Sequence, residues 1–284
     1  MNSTAIIERD GTLEQSGYAG SVPWWSFTKT ALAIVALRLV EDGTLTLDAP
    51  LDGTPYTLRQ LLRHEAGLPD YGALPHYHAD VAAGKSPWSV ERLLAETRAD
   101  ELLYQPGAGW GYSNIGYLKI AQLIADRFPG GLTAALDKLL FKPGNLTSAR
   151  LAIMPADLAD VEMGSAAGYH PGWVYHGLIT GTVVDAAQLM WHLANDRLLK
   201  PDTRAEMLKG HDLPQFRSAT HPDPAYGLGL MCWTHDPDEH PFGHGGEGPG
   251  SGIAVYALNK RVAAVWTTLP SDTDVTARAF QILG

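Results

Sequence analysis

The sequence predicts an α+β fold in which both ends of the chain build one antiparallel sheet, flanked by helices, around a mainly helical insertion region. Short β-leaning runs cover residues 4–9 and 12–18, and strand-like segments return after residue 222. Between them, apolar residues recur at the three- and four-residue spacings of helices. We therefore expect a sheet region over 1–44 and 215–284 and a mainly helical region over 45–214.

The first elements are predicted to be a hairpin and a helix. Asp10-Gly11 is a turn pair that favours a β-hairpin between the two amino-terminal runs. A helix is expected from Phe27 to Asp42, where apolar residues share a face and Gly43 marks the end. Ser26 therefore lies at the amino-terminal end of this helix.

The middle of the chain is predicted to be helical and rich in loops. Thr57 is a candidate cap for the segment LRQLLRHEAG, and Asn114 opens NIGYLKIAQLIADRF, which ends at Pro129. Further helices are expected over about 133–141 and, with Asp185 as a candidate cap, over about 186–195.

The last third of the chain returns to strands. The segments AYGLGLMCWTH (225–235), SGIAVYALN (251–259) and RVAAVWTTLP (261–270) are each typical of a strand. A tight connection at Asn259-Lys260 predicts that the last two form a hairpin, and a final helix is expected from about Asp274.

Composition narrows the possible partners. The 284 residues carry 31 acidic and 21 basic side chains, a formal charge of -10 that argues against nucleic acid or an anionic membrane as partner. The longest apolar run, residues 31–37, is far short of the ~20 residues that cross a bilayer. Charged residues at 8–10 precede any apolar stretch, so a cytoplasmic protein is expected. The lone Cys232 excludes an internal disulfide, and the oligomeric state is not indicated.

Two glycine motifs fail the structural tests of nucleotide sites. The segment ADVAAGKS (79–86) has the end of a phosphate-binding loop, but no buried strand precedes it and a proline follows. Gly243, Gly245 and Gly248 satisfy GxGxxG, but a strand-like segment follows where a helix is required. No cofactor is expected.

A histidine motif raises the question of a metal. His76, His78 and Asp80 resemble the start of the metallo-β-lactamase zinc motif, yet Val81 stands where the next histidine is required. The surrounding residues favour an exposed loop, so no metal is expected there. Other histidines occur in the loops 211–221 and 235–240, and a zinc hydrolase built on them stays open as an alternative.

Three further patterns can supply reactive groups, although the first two, each taken alone, are also explained as helix caps. In SFTK, Ser26 and Lys29 are three residues apart, so in a helix the amine can reach the hydroxyl. In YSN, Tyr112 can exchange a proton with a nearby ammonium, and the Asn114 amide both donates and accepts hydrogen bonds. In FGHGG (242–246), glycines let backbone N–H groups approach a substrate closely.

Together these patterns carry a family resemblance. The three patterns occur in the order SFTK, YSN, FGHGG, within a series of longer strings: LLRHEAGLPDY at 61–71, PGAGWGYSNIGY at 106–117 and GHGGEGPG at 243–250. By these strings, the chain resembles the serine β-lactamase and penicillin-binding-protein superfamily. It is most similar to the branch of class C-like β-lactamases, DD-carboxypeptidases, D-aminopeptidases and family VIII esterases. The resemblance extends over nearly the whole chain and implies a β-lactamase/transpeptidase-like fold, with an active site in the cleft between the sheet region and the helical region.

The resemblance also implies roles. Ser26 is the expected nucleophile that forms an acyl-enzyme, and Lys29 and Tyr112 are expected to share the general-base work. Asn114 is expected to steady Lys29 and the amide of the substrate. The backbone N–H groups of Ser26 and Glu247 are the expected oxyanion hole.

The third motif bears on the substrate. His244 stands where the resembled β-lactamases carry the lysine of KTG, Gly245 and Gly246 lack side chains, and Glu247 adds a carboxylate. A substrate carboxylate meets repulsion there. We therefore expect a serine hydrolase of small esters or amides, or of substrates with an amine near the scissile bond, that is weak on β-lactams. A true β-lactamase or DD-carboxypeptidase, and a non-catalytic binding module, are the alternatives.

Aromatic residues surround the motifs. They suggest an aromatic-lined acyl pocket, with core packing as the other interpretation for some of them. The residues concerned are Trp24, Trp25, Trp110, Tyr169 and Trp173.

Overall fold

The computed structural model describes residues 1–234, 239–268 and 274–284. The last residue of the predicted strand 225–235, the last two of the predicted strand 261–270 and most of the predicted loop 235–240 lie outside the described residues.

Two antiparallel sheets are formed within the described residues. The strands are β1 (Asn2–Ile7), β2 (Leu13–Gly17), β3 (Val22–Pro23), β4 (Arg150–Ala152), β5 (Leu178–Gly181), β6 (His211–Asp212), β7 (Pro224–Tyr226), β8 (Met231–Trp233), β9 (Phe242–Gly248), β10 (Ser251–Leu258) and β11 (Arg261–Thr268). The main sheet has the order β2-β1-β11-β10-β9-β8-β7-β6, and a small sheet has the order β3-β5-β4. The first strand thus pairs with the last, as the α+β prediction requires.

Nine helices are found in the described part of the chain. They are α1 (Thr28–Glu41), α2 (Leu58–Leu62), α3 (Pro75–Ala82), α4 (Val90–Glu96), α5 (Asn114–Arg127), α6 (Gly131–Leu136), α7 (Val183–Ala194), α8 (Pro201–Leu208) and α9 (Val275–Leu283). Helix α6 continues into a π-helical turn over Asp137–Phe141. None of these described helices has the length and apolar character needed to cross a membrane.

The main sheet is covered by helices on both faces. Successive side chains of β10 point to opposite faces of the sheet. Ile253 and Val255 belong to the central core with α1 and α7, while Ala254 and Tyr256 pack with α9 on the opposite face. Their predicted hairpin is confirmed, and Asn259 and Lys260 both take positive φ in its turn. Helix α1 is buried on nearly all sides, which explains its apolar composition around the whole circumference.

One predicted strand is wrong. The segment 225–235 does not run straight but forms β7 and β8 with a detour between them. A Cβ on Gly227 would come within 2.2 Å of the Met207 carbonyl oxygen, and Gly229 takes a φ of +83°. The Gly229 N–H donates to the Leu62 carbonyl at 3.2 Å, so the detour is held by residues distant in sequence.

The helix starts were predicted with mixed success. Thr57 caps α2 in a capping box with Gln60, and α5 begins at Asn114 as predicted, with Ser113 as its cap. Asp185 is not the cap of α7, because the Thr182 hydroxyl accepts from the Asp185 N–H at 3.1 Å. The Asp185 carboxylate instead accepts from Ser148.

Candidate active site

Ser26 lies in a strained turn directly before α1. Residues Trp25–Phe27 form one 3₁₀ turn, and Trp25 holds a φ of +42°, which is costly for a large side chain. The Trp25 indole N–H donates to Ser251 Oγ at 3.0 Å, and its ring meets Tyr169 edge-on at 5.5 Å. These contacts hold the turn in the shape that presents Ser26 to the cleft.

Strand β9 passes unusually close to this turn. A Cβ on Gly246 would come within 2.6 Å of the Trp24 carbonyl oxygen and 2.8 Å of the Ser26 nitrogen. A Cβ on Gly248 would come within 2.5 Å of the Trp25 ring. Glycine is therefore required at both positions for the strand to border the nucleophile. Gly245 differs, since its nearest neighbour would be Thr276 Oγ1 at 3.6 Å.

Lys29 links the motifs through its amine. Its Nζ donates to Ser26 Oγ at 3.0 Å and to Asn114 Oδ1 at 2.7 Å. It also lies 3.4 Å from Nε2 of His176, a buried histidine that no sequence motif indicated. The structure thus brings Ser26, Lys29 and Asn114 into direct contact.

The environment of Lys29 favours the neutral amine. The side chain is completely buried, and this burial lowers its pKa to about 7, although the negative charge of Asp70 acts in the opposite direction. The Tyr112 ring lies 4.9 Å from the Lys29 Nζ. Near neutral pH, a large fraction of Lys29 can therefore accept a proton.

Tyr112 lies beside the same serine. Its ring is partly exposed to the cleft, but enclosure of its hydroxyl raises its pKa, with an interaction with the Ser26 hydroxyl as the main opposing effect. Tyr112 is therefore protonated at neutral pH. In this state it can donate a proton but cannot accept one as a tyrosinate.

A hydrogen-bond network positions Asn114 and Ser113. The Asp70 carboxylate accepts from the Asn114 N–H at 2.7 Å and from the Gly72 N–H at 3.0 Å. Ser113 donates its hydroxyl to the Pro69 carbonyl at 2.7 Å and its N–H to His64 Nδ1 at 3.1 Å. The LLRHEAGLPDY segment therefore holds the YSN motif in place. The sequence indicated this segment as a family motif, but it did not indicate the roles of Asp70 and His64.

His244 is enclosed by the protein. Its Nε2 lies 2.9 Å from the Tyr226 hydroxyl, and its Nδ1 contacts the Gly245 carbonyl oxygen, which can only accept. The proton is therefore on Nδ1, and the tyrosine donates to Nε2. Burial, aided by the charge of Lys29, lowers the pKa of His244 to about 3, so the ring is neutral at pH 7.

The cleft has two lobes that meet at Ser26. The aromatic lobe, of about 200 Å³, is lined by Ser26, Asn114, His176 and several aromatic side chains. The polar lobe, of about 490 Å³, is lined by Ser26, Tyr112, the 244–247 segment of β9 and the start of α9. Glu247 borders both lobes.

The aromatic residues that the sequence suggested for an acyl pocket are divided between the aromatic lobe and the protein core. Trp25, Tyr169 and Trp173 line the aromatic lobe, together with Tyr71 and Tyr77. Two others lie elsewhere. Trp24 is completely buried in the main core, and Trp110 packs edge-on against Phe216 and beside Tyr226.

The rejected motifs have structural roles. His76, His78 and Asp80 lie on α3, not in the predicted loop, because Pro75 starts a helix there. His76 pairs with Glu96, and Asp80 accepts from Lys85 and Trp88. The structurally described residues hold no cluster of three or more metal-binding side chains. The glycines of GxGxxG lie within β9.

Comparisons with known proteins agree with this architecture. A sequence model of the Beta-lactamase family matches residues 21–283. A lovastatin esterase from Penicillium rubens is 28% identical, over 89% of this chain and 81% of that protein. Esterase EstB from Burkholderia gladioli is 31% identical, but the match covers 42% of this chain and 35% of that protein.

Solved structures share the fold. A D-stereospecific amidohydrolase from Streptomyces superposes with a TM-score of 0.78 at 21% identity, over 94% of this chain and 88% of that one. The D-amino acid amidase from Ochrobactrum anthropi SV3 gives 0.77 at 19% identity, over 99% and 93%. The fold, the positions of the motifs and the extent of the family match lead to one conclusion: the chain belongs to the Beta-lactamase family.

Proposed function

We propose that this protein is a serine hydrolase that forms an acyl-enzyme on Ser26 and hydrolyses small esters or amides. One observation carries the proposal: Lys29 Nζ lies 3.0 Å from Ser26 Oγ. Because the pKa of Lys29 is lowered to about 7, its neutral amine is available at neutral pH. A neutral amine at hydrogen-bond distance can remove the hydroxyl proton as the oxygen attacks a carbonyl.

The proposed steps follow from the protonation states. Ser26 Oγ bonds to the carbonyl carbon while its proton passes to Lys29 Nζ. The bond to the leaving group then breaks, the leaving atom takes the Tyr112 hydroxyl proton, and Lys29 returns a proton to Tyr112. Water later attacks the acyl carbon while its proton passes to the Tyr112 oxygen and the Tyr112 proton passes to Lys29 Nζ. Lys29 then returns a proton to Ser26 Oγ as the bond to the acyl carbon breaks, and the acid is released. Lys29 is thus the base in both steps, and Tyr112, protonated at the start of each step, relays the proton.

The oxyanion hole is proposed to consist of the Ser26 and Glu247 backbone N–H groups. The close approach of Gly246 to the Ser26 nitrogen, 2.8 Å from a would-be Cβ, supports this, since it puts the β9 backbone beside that amide. Two donors so arranged stabilise the negative charge that develops on the carbonyl oxygen.

The charge of the cleft supports weak activity on β-lactams, whose carboxylate needs a partner. Among the described residues, no lysine or arginine lines either lobe. His244 is neutral and engaged with Tyr226 and Gly245, while the Glu247 and Asp274 carboxylates border the polar lobe. An anionic substrate is therefore repelled, and an uncharged or amine-bearing one is not. The matches to named esterases and D-amino acid amidases support both ester and amide chemistry.

Steady-state kinetics test this proposal. We expect kcat/KM for p-nitrophenyl esters or D-amino acid amides to exceed that for nitrocefin. If nitrocefin is the best substrate, the proposed specificity is wrong.

A fluorophosphonate probe tests the nucleophile separately. We expect covalent labelling of the wild-type protein, lost in Ser26→Ala and retained in Ser86→Ala, a substitution of an exposed serine that lines neither lobe. Labelling that persists in Ser26→Ala would show that another group reacts, and the acyl-enzyme proposal would fail.

A further inference from the structure

The two lobes of the cleft have different neighbours, and these fix which part of a substrate lies in which lobe. Tyr112 lines the polar lobe and is not among the residues of the aromatic lobe, whereas Asn114 lines the aromatic lobe. A proton donor must lie within hydrogen-bond reach of the leaving atom. The leaving group therefore belongs in the polar lobe, and the acyl group belongs in the aromatic lobe.

The aromatic lobe continues into a second cavity. We call this cavity, of about 260 Å³, the distal groove. His78, Val81, Tyr169 and Pro249 line both the aromatic lobe and the distal groove, so the two spaces adjoin along this boundary. The distal groove is at least as large as the aromatic lobe, and a small acyl group leaves it empty.

The lining of the distal groove indicates what it can hold. Beyond the shared boundary, the described lining consists of small uncharged residues on the α3 end and on the loop before Tyr169. They are Ala82, Gly84, Ser165, Ala166, Ala167 and Gly168. Neutral lining of this kind offers no partner for a charge and leaves room for an apolar chain.

The boundary between the two spaces is held in place. His78 Nε2 makes a 2.7 Å hydrogen bond with the Gly72 carbonyl oxygen, so its ring is tied to the loop that also carries Asp70. Tyr169 is held edge-on against Trp25, next to the nucleophile. A chain that leaves the aromatic lobe therefore meets a passage that is already formed.

We propose that the distal groove is an acyl-chain subsite: the acyl group of the substrate extends from Ser26 through the aromatic lobe into the groove, so that an uncharged acyl chain of medium length is preferred over acetyl. This inference rests on the proposed function, since it requires an acyl-enzyme on Ser26. It adds the acyl-chain class that the proposed function leaves open.

A chain-length series with one leaving group tests the subsite. We expect kcat/KM for p-nitrophenyl octanoate to exceed that for the acetate by roughly tenfold or more, since each buried methylene adds to binding. Ala82→Trp and Ala167→Trp each place a large ring in the groove from an exposed position. We expect either variant to lower the ratio of octanoate to acetate kcat/KM by about tenfold.

Two controls make the outcomes separable. Ala83→Trp changes an exposed neighbour that is absent from the described groove lining, and we expect it to leave the ratio unchanged. Ester hydrolysis that survives Ser26→Ala would overturn the proposed function. If hydrolysis depends on Ser26 but the wild type shows no chain-length preference, or the groove variants leave the ratio as it was, the subsite is wrong and the proposed function stands.

Discussion

Lys29 is a titratable side chain held entirely inside the protein, and the groups around it set its affinity for a proton. The histidines that face it, His64, His176 and His244, are neutral at pH 7, because burial lowers the pKa of each one. Tyr112 is protonated for the same physical reason. Asp70 is the negative charge that favours the ammonium form of Lys29.

The pH dependence of activity follows from this balance. We expect kcat/KM to rise with pH through about 7 as Lys29 loses its proton. In Asp70→Asn the charge that favours the ammonium is gone, so the pKa of Lys29 falls and the acidic limb moves to lower pH by up to about one unit. A pH–rate profile of both proteins measures the shift.

The matched control is Asp52→Asn, which removes a carboxylate whose side chain is 95% exposed. Its acidic limb should coincide with that of the wild type. An unmoved or upward-shifted limb in Asp70→Asn would contradict the assignment of this limb to Lys29.

At the scale of elements, the site depends on how β9 meets the turn before α1. The two segments are distant in sequence, and they touch because β9 carries glycine where its backbone passes Trp24 and Ser26. Helix α1 supplies Lys29 one turn further on, from a segment whose side chains are nearly all buried in the core. Strand β9 therefore fixes how close its backbone lies to Ser26, and α1 fixes the position of the Lys29 amine.

Gly246→Ala should disrupt the site while Gly245→Ala should not. The methyl group at 246 would meet backbone atoms at 2.6 and 2.8 Å, so β9 must move away from Ser26. A displacement near 1 Å costs on the order of a hundredfold in rate. The methyl group at 245 would lie 3.6 Å from Thr276 Oγ1, an ordinary contact. Steady-state kinetics and thermal unfolding of both variants compare the two; equal activities would refute the close approach.

Local signals predicted some elements well and others poorly. The Asn259-Lys260 hairpin and the Thr57 cap depend on neighbours in sequence, and the structure confirms them. The break in the 225–235 strand depends on Met207 and Leu62, which no local pattern reveals. His176 was missed for the same reason: it precedes β5 with no motif around it, and only the fold brings it to Lys29.

At the scale of the whole molecule, a buried lysine lowers stability. The folded-state pKa of Lys29 is about 7, whereas its ordinary value is 10.5. Below pH 7 both states carry the proton, and the folded state bears the full cost of the buried charge. Between pH 7 and 10.5 the unfolded chain binds more protons, so this contribution makes the folded state more stable as pH rises.

Lys29→Met should therefore exchange activity for stability. We expect loss of ester hydrolysis and, at pH 6, an increase in the free energy of unfolding on the order of 1–3 kcal/mol, after the lost hydrogen bonds are counted. The gap from the wild type should shrink as pH approaches 10. Urea unfolding at several pH values measures it. Lys138→Met, at an exposed position, is the control and should show no such trend.

The overall architecture was more predictable than the site. Strand-like segments at both ends of the chain predicted the main sheet, since the residue types that favour a strand are visible in each segment alone. The motifs predicted Ser26, Lys29, Tyr112 and Asn114 as neighbours, and the structure brings them together. The contacts that hold these residues from outside, such as the hydrogen bond from the Asn114 N–H to Asp70, follow from packing and were not predictable from one sequence.

Because the two lobes meet at Ser26, the proposed reaction also has a defined order of product release. In the proposed mechanism, the first product leaves through the polar lobe while the acyl chain is still bonded to Ser26, so the space it vacates is the entrance for the next nucleophile. Water is one such nucleophile, and an alcohol or amine shaped like the departed group is another. Partition between these acceptors, and not the first attack, then decides whether the same site cuts a bond or moves an acyl group from one molecule to another.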